Sequence, residues 1–252
     1  MIPSFGLGTY TVQNEECIDI VSNALKIGYK LIDTAELYKN HKEISIAIEK
    51  SGQKREDIWI TSKIHNKDQR HLNISCAIDK ILKDLNTDYL DLLLLHSAQK
   101  NYIDAYAELV RCKEHFNIKN IGVSNFRIHE LENIDKKTGI LPYLNQIEIH
   151  PFNQRIELRK YMDSQKIITQ SYGSLTGIDS IKNPLYKSDD LLLNWSLYYD
   201  LHPIPTSHTL EHLMSNFDSL NKKIDDISIC SLNYISEKII KYKQHSDLEI
   251  YL

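Results

Sequence analysis

LDLLLLH, at residues 90–96, is a nearly unbroken apolar run that ends in a histidine. Runs of this kind are typical of parallel strands that are buried on both faces. Similar β-rich runs recur along the chain, and the stretches between them have the spacing of amphipathic helices. The eight candidate strands are Phe5–Thr9, Leu31–Ala35, Ile58–Ile64, Leu90–His96, Ile118–Ser124, Leu144–His150, Ile167–Tyr172 and Pro203–Ser207. Strands and helices in alternation predict an α/β fold with a parallel sheet, and eight repeats favour a closed (β/α)8 TIM barrel over an open doubly wound sheet.

The helical stretches have predictable ends and faces. One begins at Asn14, a predicted N-cap, and closes near Gly28, a predicted C′ residue. Another places five apolar residues on one face, at Ile74, Ile78, Ile81, Leu82 and Leu85. No low-complexity linker divides the 252 residues, and their number matches the roughly 250 that one such barrel needs. We therefore expect a single domain over residues 1–252.

Composition argues against several classes of function. Lys and Arg number 30 and Asp and Glu number 34, and they are mixed along the chain, so no basic stripe indicates nucleic-acid binding. The longest apolar run is too short to span a bilayer, and the opening MIPSFGLGTY lacks the pattern of a signal peptide. The four cysteines have no CxxC spacing, which predicts free thiols rather than a disulfide or a metal site. A cytoplasmic protein with no membrane, nucleic-acid or metal partner is expected.

Four polar residues stand where predicted strands end. They are Asp33 and Tyr38 in IDTAELY, Lys63 in ITSKI and His96 in LLLLH. In a parallel barrel the carboxyl ends of the strands meet at one mouth, where active sites lie. Singly, each residue has a structural interpretation: a capping aspartate, a surface tyrosine, an ion-paired lysine and a core histidine. Their occurrence at successive strand ends favours a joint site.

The chemistry of this set is that of a proton donor beside a carbonyl group. A phenol is a poor acid at neutral pH, and the charge of Lys63 is expected to lower the pKa of Tyr38. Asp33 would keep a buried Lys63 charged, and His96 could donate a hydrogen bond to a carbonyl oxygen. Reduction of that carbonyl needs a hydride, which no side chain supplies. A nicotinamide cofactor is therefore implied.

At these residues the chain resembles the aldo-keto reductase family. The matching segments follow in the family's order, as FGLGTY, GYKLIDTAELYKN, REDIWITSKI, DYLDLLLLH, IKNIGVSNF, NQIEIHPFNQ, SYGSL and IPTS. The resemblance implies NAD(P)H-dependent reduction of an aldehyde or ketone. It assigns Tyr38 as the general acid, Lys63 and Asp33 as the pair that tunes it, and His96 as the donor that orients the carbonyl. It also implies a small-molecule carbonyl substrate and a monomer or weak homo-oligomer.

The resemblance places a nicotinamide at four further residues. Ser124, Asn125 and Gln146 would bond its carboxamide, since their side chains offer suitable donors and acceptors. Tyr172 would stack on its ring and leave one face open. The alternatives are that Ser124 and Asn125 form a turn before a helix and that Tyr172 packs in the barrel.

The rest of the nucleotide is assigned to the strand-seven and strand-eight loops. By resemblance, Leu175 and Ser207 would flank the pyrophosphate and ribose, and Asn216 would reach the adenine. The family usually carries a lysine just before that serine and an arginine a few residues on. Here Thr206 and His212 stand at those positions. The clamp for a 2′-phosphate is therefore weakened, and the choice between NADP(H) and NAD(H) stays open, with NADH or dual use expected.

The predicted substrate pocket is unusually polar. Tyr10, His65 and Ser97 stand where family members often carry tryptophans. A polar or hydroxylated carbonyl substrate is expected, although an opening at Ser97 could simply admit water. The chain is also short, which predicts a trimmed N-terminal hairpin and a short C-terminal loop.

Two other functions compete with an active reductase. One is a catalytically weak or inactive barrel that binds nucleotide as a sensor or structural subunit; the intact set of four residues argues against it. The other is an unrelated phosphate-binding isomerase barrel, for which IPTSHT offers only weak donors.

Overall fold

A parallel barrel, wrapped by helices, is the architecture of the computed structural model, which describes residues 1–176, 189–222 and 224–234. Seven strands pair with their neighbours in chain order, all parallel. They are β1 (Leu7–Gly8), β2 (Leu31–Asp33), β3 (Trp59–Ile64), β4 (Leu92–Leu95), β5 (Ile121–Ser124), β6 (Leu144–Glu148) and β7 (Ile168–Tyr172). The predicted parallel sheet is confirmed, with strands that are shorter at one or both ends than the sequence pattern suggested.

Helices fill the connections between the strands. They are α1 (Asn14–Ile27), α2 (His41–Ser51), α3 (Asn66–His71), α4 (Ile74–Asp84), α5 (Tyr102–His115), α6 (Ile128–Thr138), α7 (Ile156–Ser164), α8 (Asp189–Tyr198) and α9 (Leu210–Asp218). A 3₁₀ turn, Glu36–Tyr38, follows β2. Among the described residues, no helix combines the length and apolarity that crossing a membrane requires. The chain after residue 234, where a short C-terminal loop was predicted, lies outside the described residues.

The eighth predicted strand closes the barrel without forming a regular ladder. The backbone N–H groups of Gly6 and Gly8 donate to the carbonyl oxygens of Pro203 and Pro205, each at 3.1 Å. Pro203 and Pro205 have no N–H group of their own, so every second bond of a ladder is missing. On the other side, Ile204 donates to the carbonyl oxygen of Ser171 at 3.2 Å. The closing segment therefore bonds to the neighbouring strand on each side, but the prolines interrupt the regular hydrogen-bond pattern.

Gly8 is required at this closure. A Cβ atom there would lie 2.6 Å from the carbonyl oxygen of Ile204, a contact that side chains do not make. The glycine therefore lets the first strand and the closing segment approach each other.

One of the predicted helix ends is wrong and one is confirmed. Asn14 is the first residue of α1, and its N-cap is Gln13, which makes no side-chain capping bond. Asn14 has a φ of 52°, a left-handed conformation that asparagine tolerates better than most residues. Gly28 ends the helix with a φ of 125°, and its N–H donates to Ala24. The apolar face predicted for α4 is confirmed at Ile74 and its neighbours.

The core has an outer and an inner part. The outer part lies between the strands and the helices and holds most of the buried aliphatic residues. The inner part fills the barrel and consists of Ile2, Leu31, Leu92, Leu94, Leu144 and Ile204. Two residues further along the strands, the inward positions become polar, as at Asp33, His96 and Gln146. The interior is therefore apolar at the bottom and polar at the mouth.

A buried carboxylate ties the bottom of the barrel together. Asp91 is 5% exposed and accepts the backbone N–H of Ile60 at 3.0 Å. It also pairs with Arg55 at 3.0 Å and with Lys119 at 3.1 Å. Both cations lie over the ring of Tyr89, at 4.0 and 3.9 Å from its centroid. This cluster links the segments before β3, β4 and β5.

Asp91→Ala should destabilise the protein by about 2–4 kcal/mol, because it leaves two cations and a buried N–H without their shared acceptor. Denaturant unfolding would measure this. Asp19→Ala is the matched control, since Asp19 pairs with Lys50 on the surface, where both side chains are at least half exposed. This control should lower the free energy of unfolding by less than about 1 kcal/mol. Equal losses for the two variants would contradict a structural role of the cluster.

Candidate active site

A cavity of about 650 Å³ opens at the carboxyl ends of the strands. Three of the four predicted catalytic residues line it: Asp33, Tyr38 and His96. Its other lining residues are Gly8, Tyr10, Leu37, Ser124, Asn125, Gln146, Glu148, Tyr172, Gly173, Ser174, Leu175, Thr176, Ile204, Pro205 and Thr206. The convergence predicted from the strand ends is therefore found.

A buried ion pair lies beneath the cavity. The Nζ atom of Lys63 is 2.5 Å from Oδ1 of Asp33, and both side chains are nearly inaccessible to solvent. Lys63 also donates to the carbonyl oxygen of Thr34 at 3.1 Å and to the phenol oxygen of Tyr38 at 3.2 Å. The second oxygen of Asp33 accepts from Nε2 of Gln146 at 2.6 Å. Asp33, Lys63 and Gln146 come from inward positions of three different strands, so only the closed barrel brings them together.

Burial and charge set the protonation of this group. Burial disfavours the ammonium of Lys63, but Asp33 and Tyr38 outweigh it and raise the pKa of Lys63. Burial raises the pKa of Asp33, and Lys63 and Gln146 oppose that rise. The pKa of the Tyr38 phenol is also raised by burial, which Lys63 offsets only in part. Lys63 therefore acts in the expected direction, but burial outweighs it, so the net pKa of Tyr38 is raised and the phenol stays protonated at neutral pH.

His96 faces Tyr38 as a neutral imidazole. The two ring centroids are 6.0 Å apart, with the rings nearly perpendicular. Burial, with the nearby charge of Lys63 and with His65, lowers the pKa of His96 to about 4. A neutral imidazole has one N–H donor, which is what a carbonyl oxygen can accept.

Tyr38 is held by the loop that follows β2. Its carbonyl oxygen accepts from Nε2 of Gln13 at 2.7 Å. Fully buried Asn40 accepts from the hydroxyl of Thr34 at 2.7 Å and donates to the carbonyl oxygens of Thr9 and Val12, each at 3.0 Å. These bonds join the loops after the first two strands and fix the backbone that carries the phenol.

The four predicted nicotinamide residues form one hydrogen-bonded set. The Ser124 hydroxyl donates to the carbonyl oxygen of Gln146 at 2.9 Å and accepts from Nδ2 of Asn125 at 3.0 Å. The Tyr172 hydroxyl donates to Oδ1 of Asn125 at 2.7 Å. Nε2 of Gln146 is shared between Asp33 and Gln170, so its oxygen is the atom left for a ligand. Asn125 does form the turn that was the alternative interpretation, with a φ of 61°.

The remaining predicted cofactor residues divide into two groups. Leu175 and Thr206 line the cavity, whereas Ser207 and Asn216 form a buried pair behind it, 3.0 Å from Nδ2 of Asn216 to the hydroxyl of Ser207. Oδ1 of Asn216 is buried and has no partner in the described part of the chain. Such an acceptor suits a donor such as the adenine amino group, so these residues fit a dinucleotide. The side chain of His212 is exposed on α9.

The predicted substrate pocket is only partly assembled. Tyr10 lines the cavity, is 58% exposed, and its ring lies 5.2 Å from that of Tyr38. His65 and Ser97 are not among the lining residues. The His65 ring accepts the backbone N–H of Lys67 at 3.0 Å, and the Ser97 hydroxyl donates to Asn66 at 3.0 Å.

Glu148 is the charged lining residue that the sequence analysis missed. It follows Gln146 by two residues on β6, so the alternation of a strand places both side chains on one face. That spacing was the available signal. Leu37, Gly173 and Thr176 also line the cavity, but they lie in loops, where no periodicity identifies them.

The family model described as the aldo/keto reductase family matches residues 4–178. The methylglyoxal reductase DkgA of Escherichia coli K12 is 34% identical, over 89% of this chain and 86% of its own. The glyoxal reductase of Bacillus subtilis is 36% identical, over 86% of this chain and 83% of its own. The crystal structure of an aldo/keto reductase from Brucella melitensis superposes with a TM-score of 0.87 at 34% identity, over 93% of this chain and 94% of that one. Because the family model covers more than two thirds of the sequence and the relatives match along nearly all of it, the chain belongs to the aldo-keto reductase family.

Proposed function

We propose that this protein reduces small polar aldehydes and ketones, dicarbonyl compounds foremost, with Tyr38 as the proton donor. The family membership makes the protein a nicotinamide-dependent carbonyl reductase. The observation that carries the assignment to Tyr38 is its phenol, which borders the cavity and lies 3.2 Å from the buried ammonium of Lys63. The names of two relatives, a methylglyoxal and a glyoxal reductase, support a short dicarbonyl substrate.

In this mechanism each residue has a separate task. When bound, the reduced nicotinamide supplies the hydride that adds to the carbonyl carbon. His96 donates a hydrogen bond to the carbonyl oxygen and orients it. Tyr38 transfers its phenolic proton to that oxygen as negative charge develops there, which yields the alcohol and leaves a tyrosinate. Lys63 stabilises the tyrosinate, and Asp33 keeps Lys63 protonated until solvent restores the phenol.

The raised pKa of Tyr38 is compatible with this task. The phenol must carry its proton when the substrate arrives, and burial ensures that it does. Lys63 acts when the proton leaves, because an ammonium 3.2 Å from the oxygen attracts a tyrosinate far more strongly than a phenol. The interaction is therefore stronger in the transition state than in the ground state, as catalysis requires.

The cofactor contacts in this proposal follow the hydrogen-bonded set on β5, β6 and β7. Asn125 and the oxygen of Gln146 would bond the carboxamide, with Ser124 supporting them, and Tyr172 would stack against the ring. Leu175, Thr206 and Ser207 would flank the pyrophosphate and ribose, and Asn216 would receive the adenine. Tyr10 would contribute to the substrate side of the cavity, and His65 and Ser97 would act there if loops close on a ligand.

We also propose that residues 1–252 form one domain that works as a monomer or weak homo-oligomer. The contact of the first residues with the closing segment 203–206 supports the single domain, because it joins the two ends of the described barrel.

NADH should be bound at least as well as NADPH. The helix α9, LEHLMSNFD, has no lysine or arginine, and His212 is its only basic residue. His208, the other histidine near Thr206, is already occupied by Glu16 at 2.8 Å and by Thr11 at 3.1 Å. The carboxylate of Glu16 would also repel an added phosphate.

Tyr38→Phe should lower turnover roughly a hundredfold to ten-thousandfold, because it removes the general acid, and leave the Kd for the cofactor within about twofold. Steady-state reduction of methylglyoxal and calorimetric titration with NADH and NADPH measure the two quantities. Tyr102→Phe is the matched control, because it removes a tyrosine hydroxyl outside the cavity that accepts a hydrogen bond from Asn133 on the surface. Unchanged turnover in Tyr38→Phe would refute the mechanism.

The rate of reduction, as kcat/KM, should be constant between about pH 6 and about pH 8. Within this range His96 is neutral, because its pKa is lowered to about 4. Tyr38 is protonated, because its pKa is raised. The rate should fall below this range as the pH approaches the pKa of His96, and above it once the Tyr38 phenol loses its proton. Burial raises the pKa of Glu36 to about 7, so a step in the profile there would instead assign control of the site to Glu36.

The double variant Thr206→Lys, His212→Arg should shift the ratio of the Kd values at least tenfold toward NADPH, because each cation can make a charge-assisted bond to the 2′-phosphate. Calorimetric titration with both cofactors checks this. Ser164→Lys adds a charge on α7, away from the cavity, and should leave the ratio unchanged. An unchanged ratio in the double variant would mean that the adenosine end does not lie beside Thr206 and His212.

A further inference from the structure

Among the described residues that line the cavity, Glu148 and Asp33 are the acidic ones. Its inward orientation follows from that of Gln146, whose amide reaches Asp33 inside the barrel. Along a strand, the next residue on the same face lies about 7 Å further on. The carboxylate of Glu148 therefore stands nearer the mouth than Gln146, and in the sheet Glu148 is paired directly with Tyr172.

The neighbours of Glu148 hold its side chain in place. His150 presents Nε2 at 3.4 Å from its Oε1. Nδ1 of the same ring is buried and has no partner in the described residues, so Nε2 is the ring nitrogen that contacts the carboxylate. Gly173 lies on the other side, where an added Cβ would be 3.3 Å from Cγ of Glu148. The side chain thus lies close to the histidine and to Gly173, and 37% of it is exposed.

The carboxylate is ionised at neutral pH. The hydrogen bond from His150 lowers the pKa of Glu148, and its partial burial does not reverse that shift. Arg155, a cation that also acts on Glu148, is exposed, so solvent screens its charge more than that of Glu148. Burial and then Glu148 raise the pKa of the Tyr172 phenol, and the opposing effects of Arg155 and of Lys63 are each smaller than that of Glu148.

We propose that Glu148 sets the balance between the oxidised and reduced forms of the bound nicotinamide. This inference rests on the proposed function, which puts the nicotinamide between Asn125, Gln146 and Tyr172. Loss of a hydride leaves the nicotinamide ring with a positive charge, whereas the reduced ring is neutral. A fixed carboxylate at this place stabilises the oxidised ring selectively, which makes the bound cofactor a stronger hydride donor and retains the oxidised product. Glu148 is a tuning residue and takes no proton in the reaction.

The test compares the binding of the two redox forms. In Glu148→Gln the shape and the acceptor for His150 are kept and the charge is removed. We expect the Kd for NAD⁺ to rise about threefold to tenfold and that for NADH to change less than twofold, because the removed charge attracts the positively charged oxidised ring and not the neutral reduced ring. Isothermal titration calorimetry with NAD⁺ and NADH, and with the NADP(H) pair, gives these values directly. A tenfold change in the ratio corresponds to ~30 mV for a two-electron couple.

Glu157→Gln is the control for the change in net charge, since Glu157 is an exposed residue of α7 that pairs with Lys160. It should leave both constants unchanged. If Glu148→Gln changes both redox forms equally, or neither, the inference is wrong while the proposed function stands. If the unmodified protein binds no nicotinamide nucleotide, the proposed function fails and the inference with it.

Discussion

The buried ion pair of Lys63 and Asp33 is the interaction on which the site depends. Moving two charges out of water is costly, and attraction between them does not by itself repay that cost. Here the remaining hydrogen-bonding capacity is satisfied by Thr34, Tyr38 and Gln146. A pair of this kind contributes little net stability, but it fixes a positive charge beneath the phenol. In the proposed mechanism, the cost of burying this pair is offset by its use, because the charge of Lys63 stabilises the Tyr38 tyrosinate.

The residues that stabilise the barrel and the residues of the candidate site lie in different layers along the barrel axis. The inner residues of its lower half are aliphatic, and the cluster around Asp91 ties its bottom. The same strands carry polar inward residues two positions later, at the mouth. Because side chains alternate strictly along a strand, the same strand register points both the aliphatic residues and the polar residues into the barrel. A slip of one residue would bury the polar set among the helices and destroy the site and the core together.

Charged groups are distributed unevenly along the cavity. Lys63 and Asp33 pair beneath Tyr38, and Glu148 on β6 adds a further carboxylate to the lining. The end near Thr206 offers hydroxyl groups and histidines in place of the lysine and arginine common in the family. In the proposed function these differences act on cofactor choice and redox balance, while Tyr38 and the residues that support it are unchanged.

The sequence alone determined the parallel α/β fold, the positions of most strands and the four residues at their ends, because apolar runs and periodicity are local properties. The family resemblance also proposed nucleotide contacts, four of which, at Ser124, Asn125, Gln146 and Tyr172, lie in one hydrogen-bonded set. The sequence could not predict the missing ladder bonds at Pro203 and Pro205 or the residue at which α1 begins. Nor could it predict the two hydrogen bonds that Nε2 of Gln146 donates. Nor could it show that burial outweighs Lys63 and raises the pKa of Tyr38. These depend on how deeply each group lies and on which atoms from distant strands surround it, and only the closed barrel decides that.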